Sequence, residues 1–202
     1  MRQINRVAVL GAGVMGATIA AHLANAGLEI LLLDIVPKEL DSEEEKQGLT
    51  LNSPVVRNRI ASDGLKGLIR MKPAPFYLAK YSEQIEIGNL EDDLGKLKQC
   101  DWVIEVVVEY MPIKLELFKK LVPHLAPGTI LSTNTSGLSV NEMTEVLPDE
   151  VRKNFLATHF FNPPRYMRLM EIVPCRETDP EVIQGLSDFI ASRLGKGIGY
   201  AK

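Results

Sequence analysis

The chain has 202 residues, 46% of them hydrophobic, enough to bury a full core as one domain. Its 23 basic and 26 acidic side chains leave a formal charge of −3, which argues against a surface dedicated to nucleic acid. Cys100 and Cys175 lie far apart with no partner pattern, so neither a disulfide framework nor a metal site is expected, and a reducing, cytoplasmic compartment fits.

The opening stretch, MRQINRVAVLGAGVMGATIAAHLANAG, mimics a signal peptide or a membrane span. Glycines, His22 and Asn25 interrupt it, and their spacing supports another reading. RVAVL reads as a strand, and a helix is expected from Val14 to Asn25. Between them Gly11, Gly13 and Gly16 form G-x-G-x-x-G: the first for a tight turn, the second for close approach of a pyrophosphate, the third for helix-on-strand packing. Free N–H groups at Val14, Met15 and Gly16 then face the phosphates. A second strand, EILLLD, ends in Asp34, eighteen residues after Gly16, where a carboxylate accepts the ribose hydroxyls. It also repels a 2′-phosphate, so NAD is favoured over NADP. The plainer reading makes the glycines packing residues and Asp34 an ordinary turn residue.

A long polar and helical excursion follows, roughly residues 36 to 82. After it come the strand QIEIGN, the strand DWVIEVVV, a helix from Pro112 to Leu121 and the strand TILSTN. Apolar runs separated by amphipathic helices indicate a doubly wound α/β fold with a mostly parallel sheet. NFLATHF and RLMEIVP are joined by a loop too short for a crossover helix, so they must be antiparallel neighbours. A helix from Pro180 to Leu194 follows, with Asp179 as N-cap and Gly195 as its stop, and KGIGYA is a last short strand.

Candidate site residues fall at the carboxyl ends of these strands, where ligands sit in such sheets. Glu109 and Lys114 follow the fourth strand and either edge the nicotinamide side of the cleft or form a solvated helix start. Asn134, Thr135 and Ser136 follow the fifth and either hold a substrate oxygen or cap a helix. His22 and His124 read as structural.

His159 and Glu171 flank the last loop symmetrically, six residues on either side of Arg165. Without a bulge they would be direct cross-strand partners, with Cβ atoms roughly 4.5–5.5 Å apart. Such a pair is either a salt bridge that fixes the hairpin or a general base with its orienting acid. A neighbouring NAD site favours the second, because hydride removal from an alcohol needs a base.

Taken together, GAGVMGATIAAHLANAG, IEVVVE, STNTSGLSV and THFFNPPRYMRLMEIVP resemble the NAD-binding domain of the L-3-hydroxyacyl-CoA dehydrogenase family over nearly the whole chain. The resemblance implies oxidation of L-3-hydroxyacyl-CoA in fatty-acid β-oxidation, with His159 as base and Glu171 orienting it. It further implies that Ser136 binds the substrate oxygen, that Asn162 lines the same cleft, and that Glu109 and Lys114 contact the cofactor. Gly137 departs from the family's usual second serine. The family's helical second domain, through which the parent protein would form a homo-oligomer, is expected to lie beyond this chain. The bacterial fusions with an enoyl-CoA hydratase look similar around the fingerprint.

In the family, a helical arm corresponding to residues 36 to 82 meets the phosphates and adenine of CoA. Here it carries Arg57, Arg59, Lys66, Arg70, Lys72 and Lys80, though a solvated helical surface would show the same charges. Two other functions share the fold: a dehydrogenase of a free hydroxy or sugar acid, and an NAD-binding fragment inactive without its second domain.

Overall fold

The computed structural model describes residues 3–201. The chain runs through β1 (Arg6–Leu10), turns at Gly11 into α1 (Val14–Asn25) and returns as β2 (Glu29–Asp34). Three helices follow, α2 (Ser42–Lys46), α3 (Pro54–Arg57) and α4 (Arg59–Arg70), making the body of the expected excursion. Then come β3 (Ile85–Asn89), β4 (Trp102–Glu105), α5 (Met111–Leu121) and β5 (Ile130–Thr133). Two short helices, α6 (Val140–Met143) and α7 (Asp149–Arg152), lead to β6 (Phe155–Phe160), β7 (Leu169–Pro174), α8 (Pro180–Leu194) and β8 (Gly197–Tyr200).

All eight strands share one sheet, in the order β3-β2-β1-β4-β5-β6-β7-β8. The first six are parallel; β7 is antiparallel to β6, and β8 runs with β7. The order reverses between β1 and β4, which opens a crevice beyond their carboxyl ends. Alternation along β1 explains why both faces are covered. Val7 and Val9 pack with Ile19 and Leu23 of α1, while Ala8 and Leu10 pack with Phe118 and Leu121 of α5. A strand buried on both sides reads as a continuous apolar run, as RVAVL does.

The helix ends follow their capping chemistry. The Asp179 carboxylate accepts from Glu181 N at 2.8 Å, and Gly195 ends α8 with φ 64°. Pro112 sits in the first turn of α5, where its missing N–H is harmless. One strand is shorter than its apolar run: β4 stops at Glu105 rather than continuing through Val108. The Glu105 carboxylate turns back to accept from Val107 N at 2.7 Å, which takes the backbone out of the ladder. No helix among the described residues is long and apolar enough to cross a membrane.

Candidate active site

The crevice at the β1–β4 reversal is shaped by glycine. Gly11 has φ +108°, and a methyl group on it would stand 2.6 Å from Val106 O. A methyl on Gly16 would overlap the Gly11 carbonyl, so the helix could not lie so close to the strand. At Gly13 the situation is reversed: nothing lies within 4 Å of where a Cβ would be. That empty space fronts the open end of α1. Ala17 N is the first helical amide with a backbone acceptor, Gly13 O at 2.9 Å, so the N–H groups of Val14, Met15 and Gly16 remain at the helix start. No acidic side chain occupies the first turn to compete with an anion.

At the end of β2, the Asp34 carboxylate accepts from Ala12 N at 2.5 Å and from Ile35 N at 2.6 Å. It therefore braces the glycine loop while keeping lone pairs for a ligand hydroxyl. A cavity of about 770 Å³ joins Gly11, Gly13, Asp34, Val106, Ile113 and Lys120. The open helix end, the space at Gly13 and the acid at the strand end together fit a dinucleotide.

Beyond β4 lies a buried charge network. Glu105 and Lys114 have side chains 0% and 1% exposed, and their ion pair spans 2.7 Å. Thr133 Oγ1 donates to the other Glu105 oxygen at 2.5 Å. Lys114 Nζ also reaches Val107 O and Glu109 Oε2, each at 3.4 Å. The ammonium thus donates to two oxygens within the protein and pairs with a third. Glu109 in turn accepts from Thr135 Oγ1 at 2.5 Å, Ser136 N at 3.0 Å and Gly137 N at 3.3 Å. Burial works against its charge, but these bonds and the Lys114 ammonium hold its carboxyl below the usual carboxylate range. Of Glu109 and Lys114, both expected to edge the cofactor cleft, Lys114 is instead buried in this network, and what the pair visibly holds is the loop that bears Ser136.

Ser136 faces a second cavity, of about 470 Å³, which His159 and Glu171 also line. His159 on β6 and Glu171 on β7 are register partners, and the Nδ1 to Oε2 distance is 3.0 Å. Nε2 makes no hydrogen bond among the described residues. The imidazole packs beside Phe161, ring centroids 4.6 Å apart. Asn134 Oδ1 accepts from Phe160 N at 2.9 Å, tying the Ser136 loop to the strand that bears His159. Asn162 begins the following turn; it is exposed and lies outside the lining of this cavity. Among the described residues, no group of three or more His, Cys, Asp or Glu could hold a metal ion.

The helical arm divides its cations. Arg57 is paired with Glu91 at 2.8 Å and Asp92 at 2.6 Å, and Arg59 with Asp41 at 3.1 Å and with Glu44. Lys66 reaches Asp63 on the surface at 3.6 Å. Arg70 and Lys72 are exposed at the end of α4 and make no ion pair among the described residues. Glu105 gave little away in the sequence, because it lies inside an apolar run. Asn134, a candidate to hold a substrate oxygen or cap a helix, instead accepts from Phe160 N, a partner only the fold brings to it.

The sheet order, the glycine crevice and the strand-end acid define a dinucleotide-binding domain of the Rossmann class, with a His–Glu pair on its antiparallel edge. The chain belongs to the family "3-hydroxyacyl-CoA dehydrogenase, NAD binding domain", whose pattern matches residues 6–198. NAD is the cofactor of that family, and the crevice fits it. The chain is 51% identical over 201 residues to the "Probable 3-hydroxyacyl-CoA dehydrogenase" of Bacillus subtilis, covering 100% of this chain and 26% of that protein. It is 32% identical over 195 residues to the "Fatty acid oxidation complex subunit alpha" of Psychrobacter arcticus, covering 96% of this chain and 24% of that one. The chain thus spans about a quarter of the length of these two relatives. Among solved structures, (S)-3-hydroxybutyryl-CoA dehydrogenase from Ralstonia eutropha superposes with a TM-score of 0.70 at 25% identity, over 99% of this chain and 64% of that one.

Proposed function

We propose that this chain is the NAD-binding part of an enzyme that oxidises L-3-hydroxyacyl-CoA to 3-ketoacyl-CoA in fatty-acid β-oxidation. The observation that carries this reading is the 3.0 Å His159–Glu171 contact beside the Ser136 loop.

With Nδ1–H donating to Glu171, the neutral imidazole presents an unprotonated Nε2. Nε2 takes the hydroxyl proton of the substrate, and Glu171 stabilises the imidazolium that results. Ser136 Oγ, on a loop held by Glu109, positions the substrate oxygen; Asn162, expected in the same cleft, lies outside the lining of the cavity that Ser136 and His159 share. Bound NAD supplies the hydride acceptor. Gly11, Gly13 and the amides of Val14, Met15 and Gly16 would hold its pyrophosphate, and Asp34 its adenosine ribose. Glu109, half-exposed, would border its nicotinamide side, and the buried Lys114 would act through Glu109 rather than by touching the cofactor. Lys66, Arg70, Lys72 and Lys80 remain available for the CoA phosphates, since Arg57 and Arg59 are committed to carboxylates. The two buried free thiols suit the cytoplasm, and homo-oligomer contacts are assigned to parts of the protein outside this chain.

The test is reduction of acetoacetyl-CoA by NADH in the full-length protein. His159→Gln is expected to abolish turnover and leave NADH affinity nearly unchanged. Equal loss of both removes His159 as the base. Turnover of free acetoacetate as fast as the thioester overturns the CoA reading.

A further inference from the structure

The turn between β6 and β7 begins just past His159, and it is fastened to the helical arm by groups the mechanism above does not use. Arg165 Nη1 donates to Ala74 O at 2.6 Å and to Phe76 O at 2.9 Å. Tyr166 Oη donates to Ala74 O at 3.0 Å. The guanidinium lies 4.1 Å from the Tyr77 ring centroid and 5.0 Å from that of Tyr166, within cation–π range of both.

The same arm segment is gripped from its other side. Asn25, the last residue of α1, donates through Nδ2 to Pro75 O at 2.8 Å and accepts from Tyr77 N at 2.9 Å. Three successive carbonyls and one amide of residues 74–77 are therefore bonded to side chains rather than to a ladder. The base from which Arg165 projects is fixed as well: Lys196 Nζ, buried at the α8–β8 junction, donates to Pro164 O at 2.6 Å and Met167 O at 2.7 Å.

Lys72 and Arg70, cations of the arm without an ion pair, lie two and four residues before Ala74. A clasp at Ala74 and Phe76 thus sets where those cations stand relative to His159. Binding energy gathered at a remote phosphate helps the chemistry only if the distance between the two ends of the site is fixed.

We propose that Arg165 is a positioning residue that determines specificity: by locking the arm to the catalytic turn, it lets the nucleotide end of a CoA thioester align the acyl end with His159. This rests on the CoA reading given above. Arginine suits the task because Nη1 bonds both carbonyls while the planar face of the guanidinium stacks on the Tyr77 ring, a stacking that the lysine ammonium cannot reproduce.

The experiment compares kcat/KM for acetoacetyl-CoA and for the acetoacetyl thioester of N-acetylcysteamine, which lacks the nucleotide, in the full-length protein. The wild type is expected to prefer the CoA thioester. Arg165→Met is expected to cut kcat/KM for that substrate about tenfold, leaving the short thioester and KM for NADH within about twofold. Should R165M not fold, R165K keeps the stem and cation; it shifts the same ratio, by less. An equal loss on both thioesters, or an unchanged ratio in R165K, overturns the proposal and leaves the CoA reading intact. No preference in the wild type overturns the CoA reading itself and the proposal with it.

Discussion

His159 and Glu171 face each other across β6 and β7, with Nδ1 of the one 3.0 Å from Oε2 of the other. Both side chains keep some exposure, 20% and 37%, so the pair is reachable from the cleft. In Glu171→Gln the side-chain shape survives but the charge does not, and an amide N–H turned toward Nδ1 would force the imidazole proton onto Nε2. That tautomer has no lone pair at Nε2 to take the hydroxyl proton. The expected result is a fall in kcat of at least about a hundredfold with NADH affinity unchanged. Steady-state rates with a parallel NADH titration check it; a loss smaller than tenfold would remove Glu171 from the orienting role.

The fingerprint glycines have different tasks, and alanine separates them. A methyl on Gly13 meets nothing within 4 Å and its φ of −63° suits alanine, so Gly13→Ala is expected to melt like the wild type. The methyl occupies the space before the helix amides, and NADH affinity is expected to fall at least about tenfold. Gly16→Ala drives its methyl into the Gly11 carbonyl and is expected to lose about 1–3 kcal/mol of stability or more. Thermal unfolding beside NADH fluorescence titration distinguishes the two. The reverse pattern would mean that the crevice is not the cofactor's place.

Where the chain's instructions are local, they could be read before the fold was known. The bounds of α8 follow from its own cap and stop residues, Asp179 and Gly195, and the His159–Glu171 register from a turn symmetric about Arg165 with no bulge. Glu105 was illegible for the opposite reason. It sits in an apolar run, and its partners Lys114 and Thr133 come from a helix and a neighbouring strand. The Arg165 clasp ends on backbone carbonyls 91 and 89 residues away, and a carbonyl carries no residue identity to search for. Counting the arm's positive charges likewise overstated what is free, because Arg57 finds its acids 34 and 35 residues further on.

The Glu105–Lys114 pair makes a prediction about coupling. Glu105→Gln leaves a buried ammonium with Glu109 as its one carboxylate, and the expected cost is about 3–5 kcal/mol. Removing both charges in E105Q/K114M leaves no uncompensated ion, so the double variant is expected to be more stable than E105Q. Urea unfolding of the two single variants and the double gives the interaction term. If the double loses the sum of the singles, the pair is not coupled.

His22 gives the fold an acid sensitivity of its own. It is buried in α1, edge-on to Phe160 at 6.4 Å between ring centroids, and neither ring nitrogen has a hydrogen-bond partner among the described residues. Burial, and then the charges of Lys196 and Arg165, push its pKa from 6.5 down to about 3. Between those values the unfolded chain holds a proton on this residue that the folded one refuses, so stability falls as pH falls through the window. The contribution is fully present above pH 6.5 and is lost by about pH 3. His22→Leu removes the titration and the two unpaired nitrogens and is expected to match or exceed the wild type at pH 7. Below pH 6.5 its advantage should grow by about 1.4 kcal/mol per pH unit. Urea midpoints of both proteins at pH 7, 6 and 5 test this, and parallel curves would show that His22 takes up its proton in the folded state at an ordinary pH.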